Sequence, residues 1–453
     1  MAGSVGEHIA DHLDEGIETL KRLCRSRSVS AQGEGAETAE LVAEMLEARG
    51  LETKLLPIPG SNPVVYGEAP GKSDATLLLY NHYDVQPAEP LELWDSPPFE
   101  PEIRGEFLFG RGVDDDKGHV ASRLLMLDAF RDVHGEFPCR IKWLIEGEEE
   151  IGSVNLGAIV RAHKDLLAAD GCVWESGGVD HEGHPSLYLG LRGIVYIEFR
   201  CQTGTLDAHS GMSGSIFPNA AWRLVWALST LKDQNERILL PGFYDKAREA
   251  NETDLAMLEK LPSDEAYLKE QYGLKGYLMD ATGLEFKRRT LFEPTLTICG
   301  LSAGYEGPGS KTVLPASALA KADFRLIPDQ HPNDVMEQLR RHLDDNGFSD
   351  IEITLLGGEA PARVDPNHPM ARLMIDTAQE AYGKEPRVWP FMGGSGPMHP
   401  FIEALGVPVA SNGVGWPGSR IHAPNENIRL DDFRLGTQHL ALFWERFPAT
   451  VGK

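Results

Sequence analysis

Short apolar runs of strand length alternate with amphipathic stretches of helix length through the first part of this chain, and that alternation limits the folds open to it. Residues 76–80 (Thr-Leu-Leu-Leu-Tyr), 139–145 (Cys-Arg-Ile-Lys-Trp-Leu-Ile) and 171–174 read as buried strands. Between them, residues 38–49 read as a helix stopped by Gly50, and 118–131 as a helix with Val120, Leu124 and Leu127 on one face. Strands separated by helices pair in parallel, because the helix carries the chain back across the sheet. The expected fold class is therefore α/β with a mostly parallel sheet, whose functional groups gather where its strands end.

From about Leu191 the pattern changes. Residues 194–201 alternate like a strand with one face covered, 219–231 form a helix, and 240–289 are charged and helical, like an insertion. Strands at 295–299, 316–327 and 351–356 and a helix at 334–343 complete a smaller α+β unit. After Pro361 the α/β pattern returns, with a helix at 370–382 and a strand at 407–410. We expect one α/β domain made of residues 1–190 and 361–453, interrupted by an inserted domain of residues 191–360.

Acids and histidines collect at the predicted strand ends. Asn81-His82-Tyr83-Asp84 follows the first buried strand, and Glu146-Gly147-Glu148-Glu149-Glu150 follows the second. Glu175 follows the third, Asp114-Asp115-Asp116 precedes a helix, and His422-Ala423-Pro424-Asn425-Glu426 lies near the C-terminus. Taken singly, an acidic triplet is usually a solvated turn or helix start, and a histidine after a strand an ordinary loop residue. Together, two histidines and several carboxylates without a thiolate suit Zn²⁺, Mn²⁺ or Co²⁺. Carboxylates packed at neighbouring strand ends repel one another, and a pair of divalent ions removes that cost; one carboxylate can bridge ions about 3.5–4 Å apart. An Asp two residues beyond a ligating His can orient its imidazole.

Sixty-nine acids against 43 Lys and Arg give a net charge of −26 over 453 residues, which argues against nucleic acid or anionic membrane as partner. Five scattered cysteines contain no CxxC pair and are odd in number, which fits a reducing cytoplasm better than a disulfide framework. The N-terminal stretch has no apolar signal core and no later run is long enough to span a bilayer, so a cytoplasmic protein is expected.

In order and spacing these residues resemble the zinc aminopeptidase-like family of carnosine and cytosolic nonspecific dipeptidases, aminoacylase, carboxypeptidase G and succinyl-diaminopimelate desuccinylase, most closely the dipeptidase branch. The resemblance rests on HxDVQP at 82–87, WDSxPF at 94–99, GRGxxDDKG at 110–118, EGxEExGS at 146–153, GLRG at 190–193, HSG at 209–211, KTVxP at 311–315 and RLxP at 325–328. It implies a zinc-peptidase catalytic domain interrupted by a lid that also carries a homodimer contact. It implies His82 and His422 as terminal ligands of two Zn²⁺ ions, Glu150 and Glu175 as carboxylate ligands, and Asp115 as the bridge, with a cis bond to the next Asp. Asp84 would orient His82, and Glu149 would be the general base. His209 would stabilise the oxyanion, reaching the partner subunit's site, while Arg325, Gly394 and Ser395 would hold the substrate's C-terminal carboxylate. The family's Asp-Asp-Lys-Gly and Glu-Glu-x-Gly-Ser endings select Asp115 over Asp114, and Glu149 and Glu150 over Glu148. Two positions depart from the pattern. Leu356 stands where mammalian-like dipeptidases have a lid histidine before Gly-Gly, and some relatives have Asp where this chain has Glu175, here preceded by Trp174.

The expected activity is hydrolysis of dipeptides or short peptides by ion-activated water. N-acyl-amino-acid deacylation or carboxypeptidase action on the same site is the nearest rival. A non-catalytic binding protein on this fold is the remote one, since every ligand and the base are present.

Overall fold

The computed structural model describes residues 4–451. Its main elements are strands β1 (Glu52–Leu56), β2 (Val64–Ala69) and β3 (Thr76–His82), helix α1 (Lys117–His134), and strands β4 (Arg140–Glu146) and β5 (Gly171–Trp174). Next come β6 (Gly193–Gln202), helix α2 (Ala220–Ser229), β7 (Thr295–Ala303), β8 (Ser317–Leu326), helix α3 (Pro332–Asp345) and β9 (Glu352–Glu359). Strand β10 (Val409–Ser411) and helix α4 (Leu430–Arg446) close the chain.

The chain divides into two compact units. The first holds the described residues through Gly190, Arg363–Pro390 and those from Pro397 onward; the second holds Leu191–Ala362 and Phe391–Gly396. The second unit thus reclaims a six-residue segment from the stretch that the sequence pattern assigns wholly to the first.

In the first unit six strands lie in the order β1-β2-β4-β3-β5-β10, parallel from β4 through β10 and antiparallel at the β1–β2 edge. All seven residues of β3 are buried, as a central strand with both faces covered requires. That coverage explains its uninterrupted apolar run. Helix α1 ends at Gly135 in the left-handed region (φ 74°), where glycine carries no Cβ penalty. Its inner face packs on α4, with Phe130 edge-on to Trp444 at 4.9 Å. Because β3 and β4 run parallel with His82 opposite Glu146, both strands deliver their following loops to one end of the sheet.

The second unit is an antiparallel sheet in the order β7-β8-β6-β9. Alternate residues Val195, Ile197 and Phe199 of β6 and Ala322 and Phe324 of β8 join Leu224 of α2 and Leu339 of α3 in its core. The opposite face carries Arg325, Asp323 and Glu198. The fourth strand runs further than its sequence implies. Gly357 and Gly358 pair with Tyr196 and Val195, so the glycines lie inside β9, and the ladder overrides their weak strand preference. The charged 240–289 stretch forms helices Glu252–Lys260 and Glu265–Gln271 and most of Gly283–Phe292. Among the described residues no helix is long and apolar enough to cross a membrane.

Candidate metal centre

His82 is the last residue of β3 and is buried. Its Nδ1 lies 3.0 Å from the Asp84 carbonyl oxygen and 3.4 Å from Asp84 Oδ1, so both acceptors of Asp84 orient the ring and leave Nε2 facing the site. The Asp84 carboxylate also accepts two backbone hydrogen bonds, from the Glu149 amide to Oδ1 at 3.2 Å and from the Glu150 amide to Oδ2 at 3.1 Å. One buried Asp thus ties the loop after β3 to the loop after β4.

Asp115 lies in the turn before α1. Its Oδ1 is 3.0 Å from His82 Nε2, and its Oδ2 is 3.0 Å from His422 Nε2. A carboxylate that presents one oxygen to each of two histidines has the arrangement of a bridging ligand. Its bond to Asp116 is cis. Glu150 Oε2 lies 3.1 Å from His422 Nε2, and Glu175 Oε2 lies 3.8 Å from His82 Nε2. Glu149 Oε2 stands 4.0 Å from the same nitrogen. His422 sits in a loop where Arg420, His422 and Asn425 all have left-handed backbone (φ 56°, 60° and 62°), a conformation uncommon for residues other than glycine.

By distance alone the donors fall into two groups, His82 with Asp116 and Glu175, and Asp115 with Glu150 and His422. Hydrogen bonds separate Asp116 from the first group. Its Oδ2 accepts from Asn81 Nδ2 at 2.5 Å and from the His82 amide at 3.1 Å, and its Oδ1 bonds His119 Nδ1. Both oxygens are engaged in holding β3 against α1, which leaves Asp115 as the carboxylate facing both histidines. The Glu148–Glu150 triplet resolves in the same way. Glu148 accepts from Ser61 Oγ and from Asn155 Nδ2 at 2.8 and 3.1 Å, so it is tied outside the site.

The electrostatics fit divalent cations. Burial lifts the Glu149 and Glu175 carboxyls well above their usual range; His82 opposes the rise and neighbouring carboxylates add to it. Burial pulls His82 down, but Glu175, Asp115, Asp84 and Glu149 outweigh it and raise the ring. Hydrogen bonds to Asp115 and Glu150 raise His422 to about 10. Glu175 Oε2 is buried with no hydrogen-bond partner, and the facing donors are imidazole nitrogens and carboxylate oxygens throughout. A carboxylate-rich, thiol-free set with an orphaned buried oxygen fits a pair of ions such as Zn²⁺.

Two residues of the setting lie inside the stretches picked out in the sequence but are given no role there. Glu426, fully buried, accepts from Arg111 Nη1 (2.7 Å) and from the amides of Gly112 (3.0 Å), Asp114 (3.0 Å) and Asp115 (3.1 Å). It therefore fastens the loop of Asp115 to the loop of His422. Gln86 clasps Glu150, donating from its amide to Oε1 at 3.1 Å and from Nε2 to Oε2 at 2.9 Å. Their signals are a Glu four residues after His422 and a Gln inside HxDVQP, but neither names its partner. Trp174, the unusual residue before Glu175, stacks on Tyr80 at 6.1 Å.

The remaining predicted residues lie in the second unit. Arg325 donates from Nη1 to Ser395 Oγ at 3.0 Å and from Nε to Asp323 Oδ2 at 3.1 Å. Gly394 accepts from the Arg192 amide at 3.0 Å, which pins the 391–396 segment beside Arg325. His209 is exposed; its ring meets the Gly211 amide at 3.1 Å and Thr312 Oγ1 at 3.5 Å, and its backbone pairs with Val313.

Fold and donor set together define a metal-dependent hydrolase, and comparison with known proteins agrees. The model of peptidase family M20/M25/M40 matches residues 78–446. The chain belongs to that family and is a metallopeptidase. It is 28% identical to human Beta-Ala-His dipeptidase over 97% of this chain and 91% of that protein. It is 27% identical to the Cys-Gly metallodipeptidase DUG1 of Saccharomyces cerevisiae, over 91% and 90%. Among solved structures, the M20 family metallo-carboxypeptidase Sso-CP2 of Sulfolobus solfataricus superposes with a TM-score of 0.91 at 38% identity, covering 96% of this chain and 99% of that one.

Proposed function

We propose that this protein is a dinuclear zinc dipeptidase, with Mn²⁺ or Co²⁺ as alternative ions, acting as a cytoplasmic homodimer on dipeptides and short peptides with a free C-terminal carboxylate. The observation that carries the reading is Asp115, with one oxygen 3.0 Å from His82 and the other 3.0 Å from His422, and Glu149 4.0 Å from His82 beside it. The names of the dipeptidase relatives support the substrate class.

His82, Asp115 and Glu175 would hold one ion, and Asp115, Glu150 and His422 the other. When bound, the ions lower the pKa of water and polarise the scissile carbonyl. The chain's own groups do the rest. Glu149 takes one proton from the attacking water as the C–O bond forms, and returns it to the amide nitrogen as the C–N bond breaks. Burial first, and then the like charges around its carboxylate, favour accepting that proton. His209 donates to the carbonyl oxygen as negative charge builds there. Arg325 and Ser395 bind the substrate's terminal carboxylate, a pairing that favours planar, charge-assisted contact.

End recognition is testable with one substrate panel. Dipeptides, their C-terminal amides, tripeptides and N-acyl amino acids are offered to metal-loaded protein. Free-acid dipeptides are expected to be turned over and their amides to be poor substrates, and Arg325→Ala is expected to lose about 10–100-fold in kcat/KM on the free acids alone. Equal turnover of acids and amides removes this role for Arg325. The second reading, a carboxypeptidase, is favoured by the likeness to Sso-CP2 at 38% identity and predicts that blocked and longer peptides outrun dipeptides in the same panel.

The homodimer rests on exposed apolar side chains in the segment that follows His209: Met212, Ile216, Phe217, Trp222 and Trp226, with Leu206 just before it. So many large apolar groups call for a covering partner, and a two-fold copy would supply two equivalent covered sites. If His209 serves the partner's site, refolding Glu149→Ala together with His209→Ala recovers up to about a quarter of wild-type activity, since about half the dimers are mixed and each carries one intact site of two. No recovery from verified mixed dimers assigns His209 to its own subunit. Cytoplasmic placement is supported by five free cysteines, four of them buried.

A further inference from the structure

Arg325 does not stand alone on its sheet face. The pairing register sets Arg325 of β8 and Glu359 of β9 in one row, on either side of Ile194 of β6. Laterally paired residues point to the same face, so both side chains share the face opposite the Val195–Phe324 core. The next row on that face holds Asp323, Tyr196 and Gly357. Arg325 already spends Nε on Asp323 and Nη1 on Ser395. Glu359 is left over: its Oε2 is shielded from solvent and has no hydrogen-bond partner. An unpaired, shielded carboxylate oxygen is costly, and Arg325, a full row-width away, offsets only part of that cost. Space lies beside it, because a Cβ at Gly357, two residues away on the same face, would meet nothing within 4 Å. The result is a niche with a cation at one end, a carboxylate at the other, and Ile194 and Tyr196 as its floor.

We propose that Glu359 makes this niche select substrates whose C-terminal residue is basic, lysine or arginine, by pairing with the side-chain cation while Arg325 and Ser395 hold the terminal carboxylate. The proposal rests on the end-recognition role given to Arg325 above. The spacing suits it: Arg325 and Glu359 are two strand spacings apart, roughly 9–10 Å between backbones, a gap that an aliphatic stem bridges while its methylenes cover the apolar floor. The chemistry suits it as well. Burial pushes the Glu359 carboxyl up to about 7, with Arg325 pulling it down, and an incoming cation would hold it ionised. A neutral or acidic side chain would leave the carboxylate unpaired, or repel it.

The test compares near-isosteric pairs on metal-loaded enzyme: Ala-Arg against Ala-citrulline, and Ala-Lys against Ala-norleucine. Wild type is expected to favour the cationic member by about tenfold or more in kcat/KM, the range of a charge-assisted bond in a part-shielded site. Glu359→Gln and Glu359→Ala are expected to bring both ratios to within about twofold of one. Wild-type ratios near one overturn the proposal without any variant, as do ratios that persist in a folded variant. If no dipeptide of the four is turned over, the dipeptidase reading falls and takes this proposal with it. If neutral dipeptides are turned over as fast as basic ones, the dipeptidase reading stands and the role of Glu359 alone is removed.

Discussion

Glu149→Gln is expected to lower kcat by about 10²–10⁴-fold while the protein keeps its ions and its fold. The substitution preserves shape and removes only the basic oxygen. Geometry singles out Glu149. Its backbone amide is fixed by Asp84 Oδ1 at 3.2 Å, so the loop that carries it is held, while its carboxylate stays within 4.0 Å of His82 Nε2. Its two acidic neighbours are otherwise employed, Glu148 by Ser61 and Asn155, and Glu150 by Gln86 and His422. Loss of a base that acts on bound substrate falls on kcat more than on KM. The check is steady-state kinetics on a dipeptide, with metal content by elemental analysis and thermal unfolding on the same preparation. A variant with near-wild-type kcat and full metal content would falsify the assignment. A variant that loses kcat and metal together would show that Glu149 is a ligand instead.

Metal removal carries the other large effect. Chelation is expected to abolish hydrolysis, and added Zn²⁺ or Mn²⁺ to restore it, because the ions supply the activated water and none of the protein groups replaces them. Stability should follow in the same direction. Without cations, Asp84, Asp115, Glu149, Glu150 and Glu175 share one site with two imidazoles, and burial together with like charge already lifts Glu149 and Glu175. An ion bound only by the folded state adds about 4 kcal/mol at a free concentration a thousand times its Kd. The apoprotein should therefore unfold at a lower temperature than the loaded protein, and Asp115→Ala, which removes the carboxylate facing both histidines, should unfold there with or without added metal. A fully active preparation with only trace metal, or an apoprotein as stable as the loaded one, is the result against this picture.

Much of the arrangement is legible in the order of the amino acids. The β3 run Thr-Leu-Leu-Leu-Tyr reads as a buried parallel strand because a strand covered on both faces is apolar along most of its length. Helix α1 is legible over 118–131 because Val120, Leu124 and Leu127 keep helical spacing; the structure carries it on to His134, where Gly135 ends it. Acids and histidines directly after strands mark a site because α/β sheets open their crevices at those ends. These are local properties of the chain, carried by composition and period.

The choice among adjacent acids is not local. Asp114, Asp115 and Asp116 share a charge and a turn, yet only Asp115 faces both histidines, because Asn81, the His82 amide and His119 claim Asp116. Family motifs point to Asp115 and Glu149; the hydrogen bonds show that their neighbours Asp116 and Glu148 are engaged elsewhere. The clamp by Glu426 depends on amides more than 300 positions away, at Gly112, Asp114 and Asp115, and no periodicity reports a partner at that distance. The niche between Arg325 and Glu359 likewise needs the register of three strands, in which a slip of one residue would send either side chain to the opposite face. Residue type and spacing therefore suffice for the kinds of element, the α/β class and the pool of candidate ligands. Which oxygen of which acid is left free is a property of the folded chain, because it depends on the donors that distant segments bring within hydrogen-bond reach.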